Sequence, residues 1–274
     1  MSIERIGELP VTPWPDLPLC AFDLETTDRD PRTARIVSAC VATFDGERIH
    51  SRTWLLDPGI PIPAETTAIH GITDERARAE GMDYRAGYLE IREALLEAWR
   101  RGHIVVAFNA SYDLTVMDAE GTRLGLPALG FGLVADPYVI DREMDRGRSG
   151  KRTLAAVCDA YGVTLSCAHE AEADALAAGH LVRALVARFP QLADLDIMAD
   201  QAAWHAERQR NFAVYLEASA ATPPMSTAVG RYAALQRRRA RTPREHRRGA
   251  VDDATSATGP RVLRAVSSHV GSSG

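Results

Sequence analysis

The stretch Leu19-Cys20-Ala21-Phe22-Asp23-Leu24-Glu25-Thr26-Thr27 reads as an apolar β-strand that carries two carboxylates. Side chains along a strand alternate faces with a period of two, so Asp23 and Glu25 project from the same side, about 7 Å apart. An ionised carboxylate buried without a partner is costly, and two of them repel by roughly 4 kcal/mol at 4 Å with an effective dielectric near 20. The strand contains no Lys or Arg to offset them. Hard oxygen ligands on a rigid element suit Mg²⁺ or Mn²⁺. The alternative is an edge strand whose acids stand in water.

Outward from this strand the chain alternates in type. Arg35 to Phe44 is a second strand, Asp45-Gly46 a hairpin turn and Arg48 to Leu56 a third strand, which together make an antiparallel meander. Pro58, Pro61 and Pro63 mark a loop, and Thr73 ahead of Glu75 and Arg76 marks a helix start. Tyr88, Ile91, Leu95 and Trp99 give residues 84–101 one apolar face. A short strand follows from His103 to Asn109, then a helix to about Leu124, stopped by Gly125 and Pro127. Gly130 to Ala135 is a fifth strand, Asp141 to Arg152 a charged segment, Thr153 to Tyr161 a helix and Ala171 to Arg188 a last long helix. The expected fold is therefore α/β, a mixed five-stranded sheet flanked by helices. Gly150-Lys151-Arg152-Thr153 is no phosphate loop, because Asp145 stands where the first glycine of that motif belongs.

With 274 residues, 46% of them hydrophobic, the chain can bury one substantial core. Residues 1–18 form a Pro-rich, irregular lead-in and 19–188 the domain. Residues 189–218 form a helical extension containing Trp204, Phe212 and Tyr215. From 219 to 274 large apolar residues are sparse and eight arginines fall between Arg231 and Arg248, so this tail is expected to be disordered and dispensable for chemistry. Its arginines suit phosphate, though the same composition fits a segment with no selected role. No apolar run approaches a membrane span and the N-terminus lacks a signal-peptide core, which makes the expected location cytoplasmic. Cys20, Cys40, Cys158 and Cys167 lack C-x-x-C spacing and are expected to be reduced core thiols. A net charge of −5 argues against a non-specific nucleic-acid binder held by a basic surface, while leaving an enzyme on nucleic acid open.

Two further acids point inward. Asp113 shares a helix face with Val116, Met117 and Leu124, and Asp174 shares one with Ala177, Ala178, Leu181 and Leu185. A lone inward Asp is commonly a satisfied hydrogen bonder or cap; four carboxylates on three elements facing one core call for cations. His169 lies five residues before Asp174, about 140° around a regular helix, so it belongs to the lead-in loop. There it is either an ordinary surface histidine or a group placed to take a proton from water at the cluster.

Phe22-Asp23-Leu24-Glu25-Thr26-Thr27, His70-Gly71-Ile72-Thr73, Asn109-Ala110-Ser111-Tyr112-Asp113 and His169-Glu170-Ala171-Glu172-Ala173-Asp174 together resemble the ordered motifs of the DEDDh exonucleases. That group includes the proofreading ε subunit of bacterial DNA polymerase III, ribonuclease T and oligoribonuclease. The resemblance spans roughly residues 18–188, with Tyr112 where many relatives carry Phe. It implies an RNase H-like fold and 3′-to-5′ hydrolysis of nucleic acid to nucleoside 5′-monophosphates. It further implies that Asp23, Glu25, Asp113 and Asp174 hold two divalent ions, Mg²⁺ or Mn²⁺, and that His169 is the general base. Thr26 and Thr27 would meet the terminal nucleotide through backbone groups, with His70 and Asn109 near the same pocket. The implied partner is nucleic acid with single-stranded or frayed 3′ ends, processed alone or beside a DNA polymerase subunit in proofreading or repair. RNA 3′-end trimming is the alternative within this chemistry, and a catalytically silent nucleic-acid-binding module the alternative outside it.

Overall fold

The computed structural model describes residues 12–221, nearly all of them within the first of two units, Met1–Glu217. The expectation of disorder for 219–274 falls almost wholly outside the described residues, as does most of the lead-in. Strand β1 (Leu19–Thr26) lies at the centre of a five-stranded sheet. It pairs antiparallel with β2 (Ile36–Asp45), which pairs antiparallel with β3 (Arg48–Leu55) across the Gly46-Glu47 turn. On its other side β1 pairs parallel with β4 (Ile104–Val106), and β4 with β5 (Val134–Ala135), giving the order β3-β2-β1-β4-β5. This is the mixed sheet of an RNase H-like α/β fold.

The helices are α1 (Ala64–His70), α2 (Asp74–Glu80), α3 (Tyr84–Arg100), α4 (Ala110–Arg123), α5 (Pro137–Met144), α6 (Leu154–Tyr161), α7 (Ala171–Arg188) and α8 (Ile197–Ala221). Period-two alternation along β1 sorts its side chains between two cores. Cys20, Phe22 and Leu24 pack with Tyr88, Ile91 and Leu95 of α3 and Met117 of α4. Leu19 and Ala21 pack with Ala178, Leu181 and Leu185 of α7. Asp23 and Glu25 share the parity of Leu19 and Ala21, so both acids face the α7 layer. Gly179 allows that helix to lie close: a Cβ there would stand 2.6 Å from the Phe44 ring.

Four expectations need correction. The run after Pro63, read as loop, forms α1, which ends at Gly71 (φ 72°) with the Gly71 N–H on the Thr67 carbonyl. The start of the charged segment forms part of α5, where buried Asp141 is paired by Arg148 and Arg152 at 2.8 and 2.7 Å. β5 holds two residues instead of six. Its outer edge is closed by Gln201 of α8, whose amide donates to the Val134 carbonyl at 2.9 Å and accepts the Asp136 N–H at 2.5 Å. Cys167 is exposed on the loop after α6, unlike the other three cysteines, which are buried. Residues beyond 188 also contribute to the core: Leu192 and Ile197 are buried, and the Trp14 indole donates to the Leu192 carbonyl. Among the described residues no helix is long and apolar enough to cross a membrane.

Candidate active site

The acids meet at the end of β1. A bulge interrupts the β1–β2 register between Glu25 and Thr26, just past both strand acids, and ends regular pairing there. From the α7 layer Asp174 arrives in the first helical turn, facing Glu25. From the opposite layer Asp113, in the first turn of α4, accepts the Leu24 N–H at 3.2 Å, so its carboxylate reaches around the strand end from the other side. His169 lies on the loop before α7 with φ 67°, and its N–H points at both carboxylate oxygens of Asp174, at 3.3 and 3.2 Å. Ligand atoms of Glu25, His169 and Asp174 lie within 4.8 Å of one another, a single cluster able to hold a metal ion.

Burial pushes Asp23 and Asp113 well above the ordinary carboxylate range. The charges of Asp113, Glu25 and Asp174 add to the effect on Asp23, and those of Asp136 and Glu25 to the effect on Asp113. Glu25 is pushed up to about 8, by burial first and by Asp174 second. Asp174 is raised by burial against the opposing N–H and imidazole of His169. Among the described residues none of the four forms an ion pair with Lys or Arg. A crowded, cation-free set of carboxylate oxygens is the donor set that a hard divalent ion fits, because its charge offsets both the burial and the repulsion.

Thr26 and His70 line one cleft of about 340 Å³ beside the acids, together with Leu24, Glu25, Ile69 and Tyr112. The hydroxyls of Thr26 and Tyr112 converge on the Asp28 carbonyl. His70 is buried and its Nδ1 accepts the Ile72 N–H at 3.1 Å, which leaves the proton on Nε2. His70 and His169 also line a neighbouring cleft of about 380 Å³. Thr27 and Asn109 stand apart. Thr27 gives its N–H to the Arg35 carbonyl and its hydroxyl accepts the Arg35 N–H, so it closes the strand end. Asn109, at φ 68°, is the N-cap of α4 without a side-chain capping bond and lines a different cleft.

Sequence reasoning missed Asp136. Its buried carboxylate accepts N–H groups from Asn109 and Ala110 at the start of α4 and from Tyr138 and Val139 at the start of α5. It therefore fixes the turn from which Asp113 hangs, one helical turn further on. Burial raises its pKa to about 6 against those four bonds. Asp136 directly before Pro137 is a helix-start signal present in the sequence.

The profile of the RNase T family, described as Exonuclease, matches residues 20–182. Among similar proteins are the PolC-type DNA polymerase III of Streptococcus agalactiae, 30% identical over 167 residues, and a DNA polymerase III subunit epsilon-like protein of Rhodobacter capsulatus, 33% identical over 135 residues. The first alignment covers 59% of this chain and 10% of the polymerase, and the second 45% and 18%. The chain thus spans only a small part of the relatives it matches. Among solved structures, E. coli exonuclease I in complex with a dT13 oligonucleotide superposes with a TM-score of 0.57 at 20% identity, covering 65% of this chain and 43% of that one. At that identity the likeness is one of fold. The family match takes in β1 through most of α7, the elements that bring the four acids and His169 to one strand end, and the chain belongs to the RNase T exonuclease family.

Proposed function

We propose that this chain is a metal-dependent 3′–5′ exonuclease that shortens DNA strands from the 3′ end and releases nucleoside 5′-monophosphates. One observation carries the reading: four carboxylates converge without a cationic partner at one strand end, with an imidazole among them, in a member of an exonuclease family. The DNA polymerase III relatives favour DNA over RNA, and action beside a polymerase over action alone.

Asp23, Glu25, Asp113 and Asp174 would hold two Mg²⁺ or Mn²⁺ ions. Such ions supply Lewis acidity and neutralise charge developing on the phosphoryl oxygens. His169 accepts the proton of the attacking water. Its exposed loop position gives it access to solvent, and its N–H bonds to Asp174 fix its distance from the acids. Thr26, His70 and the Tyr112 ring enclose the terminal nucleotide in the cleft beside Glu25. Thr27 supports that cleft from behind, and Asn109 contacts the strand further along.

The test is incubation with 5′-labelled single-stranded DNA, duplex DNA and RNA in Mg²⁺, Mn²⁺ or EDTA. A ladder of progressively shorter labelled DNA, abolished by EDTA, is expected. Faster shortening of RNA would assign the chain to RNA trimming. Intact strands under all metal conditions would leave a silent binding module.

A further inference from the structure

A second polar cleft, of about 380 Å³, lies between the first turn of α4 and helices α5 and α8. Its walls carry Asn109, Ser111, Tyr138, Arg142, His205 and Arg208. The α8 wall lies beyond residues 20–182, so the family match does not account for it.

Its two arginines are held in place yet incompletely paired. Arg142 lies over the Tyr138 ring, 5.2 Å from the centroid, and donates to the Tyr138 hydroxyl at 2.8 Å. Among the described residues it has no carboxylate partner. The Arg208 side chain is 25% exposed, and its nearest carboxylate, Glu143, is 3.6 Å away and shared with Arg146. Arg208 Nη1 is buried with no hydrogen-bond partner among the described residues. A guanidinium does not lose its proton, so a buried and unpaired N–H keeps its full desolvation cost until an acceptor arrives. Burial and the neighbouring charge of Arg142 both oppose the charge on Arg208. Two guanidiniums and an imidazole around one cavity suit an anion with several oxygens, such as a phosphate ester.

Asn109 and Ser111 belong to the same end of α4 as Asp113, with Asn109 one helical turn before it. We propose that Arg142 and Arg208, assisted by His205, bind a backbone phosphodiester of the substrate strand a few nucleotides upstream of the scissile bond, an assignment that rests on the exonuclease reading. The cleft would then set how the enzyme responds to strand length, a property the acid cluster alone does not supply.

The test uses the full chain in an Asp113→Asn background, with Mg²⁺ and a 5′-fluorescent dT12 strand followed by anisotropy across a KCl series. Arg142→Gln and Arg208→Gln, singly and together, should each weaken binding several-fold at low salt. Each should also flatten the log–log salt dependence by about 0.7. Arg→Lys at either site should recover the salt slope but only part of the affinity, and it serves as the measurement if a Gln variant fails to fold. In the active background the loss in kcat/KM should be large on dT12 and smaller on a dinucleotide, which has no upstream phosphate. Thymidine 5′-monophosphate separates the two sources of a phosphate ester: a variant that loses mononucleotide affinity as much as strand affinity would assign the cleft to product and overturn the proposal. A wild-type chain that shortens DNA while the double Gln variant keeps the same affinity and salt slope would also overturn it and leave the exonuclease reading standing. A wild-type chain that neither binds nor shortens DNA would remove both.

Discussion

Glu25→Gln should stabilise the metal-free protein while abolishing its hydrolysis. The carboxyl is pushed from its ordinary 4.5 to about 8, chiefly by burial and then by Asp174. A folded-state pKa above the unfolded one means that the folded chain binds more protons in between, so stability is lost as pH rises from about 4.5 through 8. At about 1.4 kcal/mol for each pH unit, the bound on this loss is roughly 5 kcal/mol. Glu25 is only partly buried, and solvent screening leaves about 1–3 kcal/mol. Glutamine keeps the shape and does not titrate. Metal-free Glu25→Gln should therefore melt within about 1 °C of wild type at pH 4.5 and about 2–10 °C above it at pH 8.5. Mg²⁺ or Mn²⁺ should narrow or reverse the gap at pH 8.5, because wild type gains a bound cation that the variant holds less well. Scanning calorimetry at both pH values, with and without EDTA, reads all of this. A variant less stable than wild type at pH 8.5 in EDTA would refute the view that Glu25 is a repelled, cation-seeking acid.

Asp136→Ala removes the acceptor of four backbone N–H groups and should cost about 2–4 kcal/mol, seen as a fall in Tm, together with a loss of kcat as Asp113 is displaced. An unchanged Tm would show that the two helix starts hold without it. His169→Ala should lower kcat about 10²–10⁴-fold, while calorimetric Mn²⁺ affinity changes far less. Weaker Mn²⁺ binding with an unchanged rate at saturating metal would make His169 a ligand, a role its place in the cluster with Glu25 and Asp174 allows. Truncation after Glu217, where the first unit ends, should preserve turnover on saturating short oligonucleotides. A folded, metal-binding truncation product without turnover would show that the remaining residues complete the site.

The central strand was legible because two independent patterns coincide in it: alternation that fills two cores, and acids on one parity. Asp113 and Asp174 were legible for a related reason, since each interrupts an apolar helical face where only a partnered charge is tolerable. Helix α1 was not, because Ala64–His70 has no apolar stripe; its end is set by the left-handed Gly71 and its start follows Pro63. Helix α5 was hidden because the burial of Asp141 makes sense only once Arg148 and Arg152 fold back on it. β5 was overestimated because its edge is satisfied by the amide of Gln201, 67 residues away from Val134, instead of by further strand. The arginine cleft could not be read at all, since Arg142 and Arg208 meet only when α8 packs beside α5. Thr27 shows the reverse limit: the resemblance implied a nucleotide contact through its backbone, and in the fold its N–H is given to the Arg35 carbonyl while its hydroxyl accepts the Arg35 N–H.

The most direct measurement compares wild type with Asp23→Ala and Asp113→Ala on a 5′-labelled DNA strand in Mg²⁺, with circular dichroism and melting curves recorded on the same samples. Expected are native spectra, metal-free melting of Asp23→Ala no lower than that of wild type, a fall in Tm for Asp113→Ala where the buried Leu24 N–H loses its acceptor, and no shortening of the strand by either variant. A folded variant that shortens the strand at a near-wild-type rate in Mg²⁺ would contradict the assignment of these acids as the centre of a metal-dependent exonuclease.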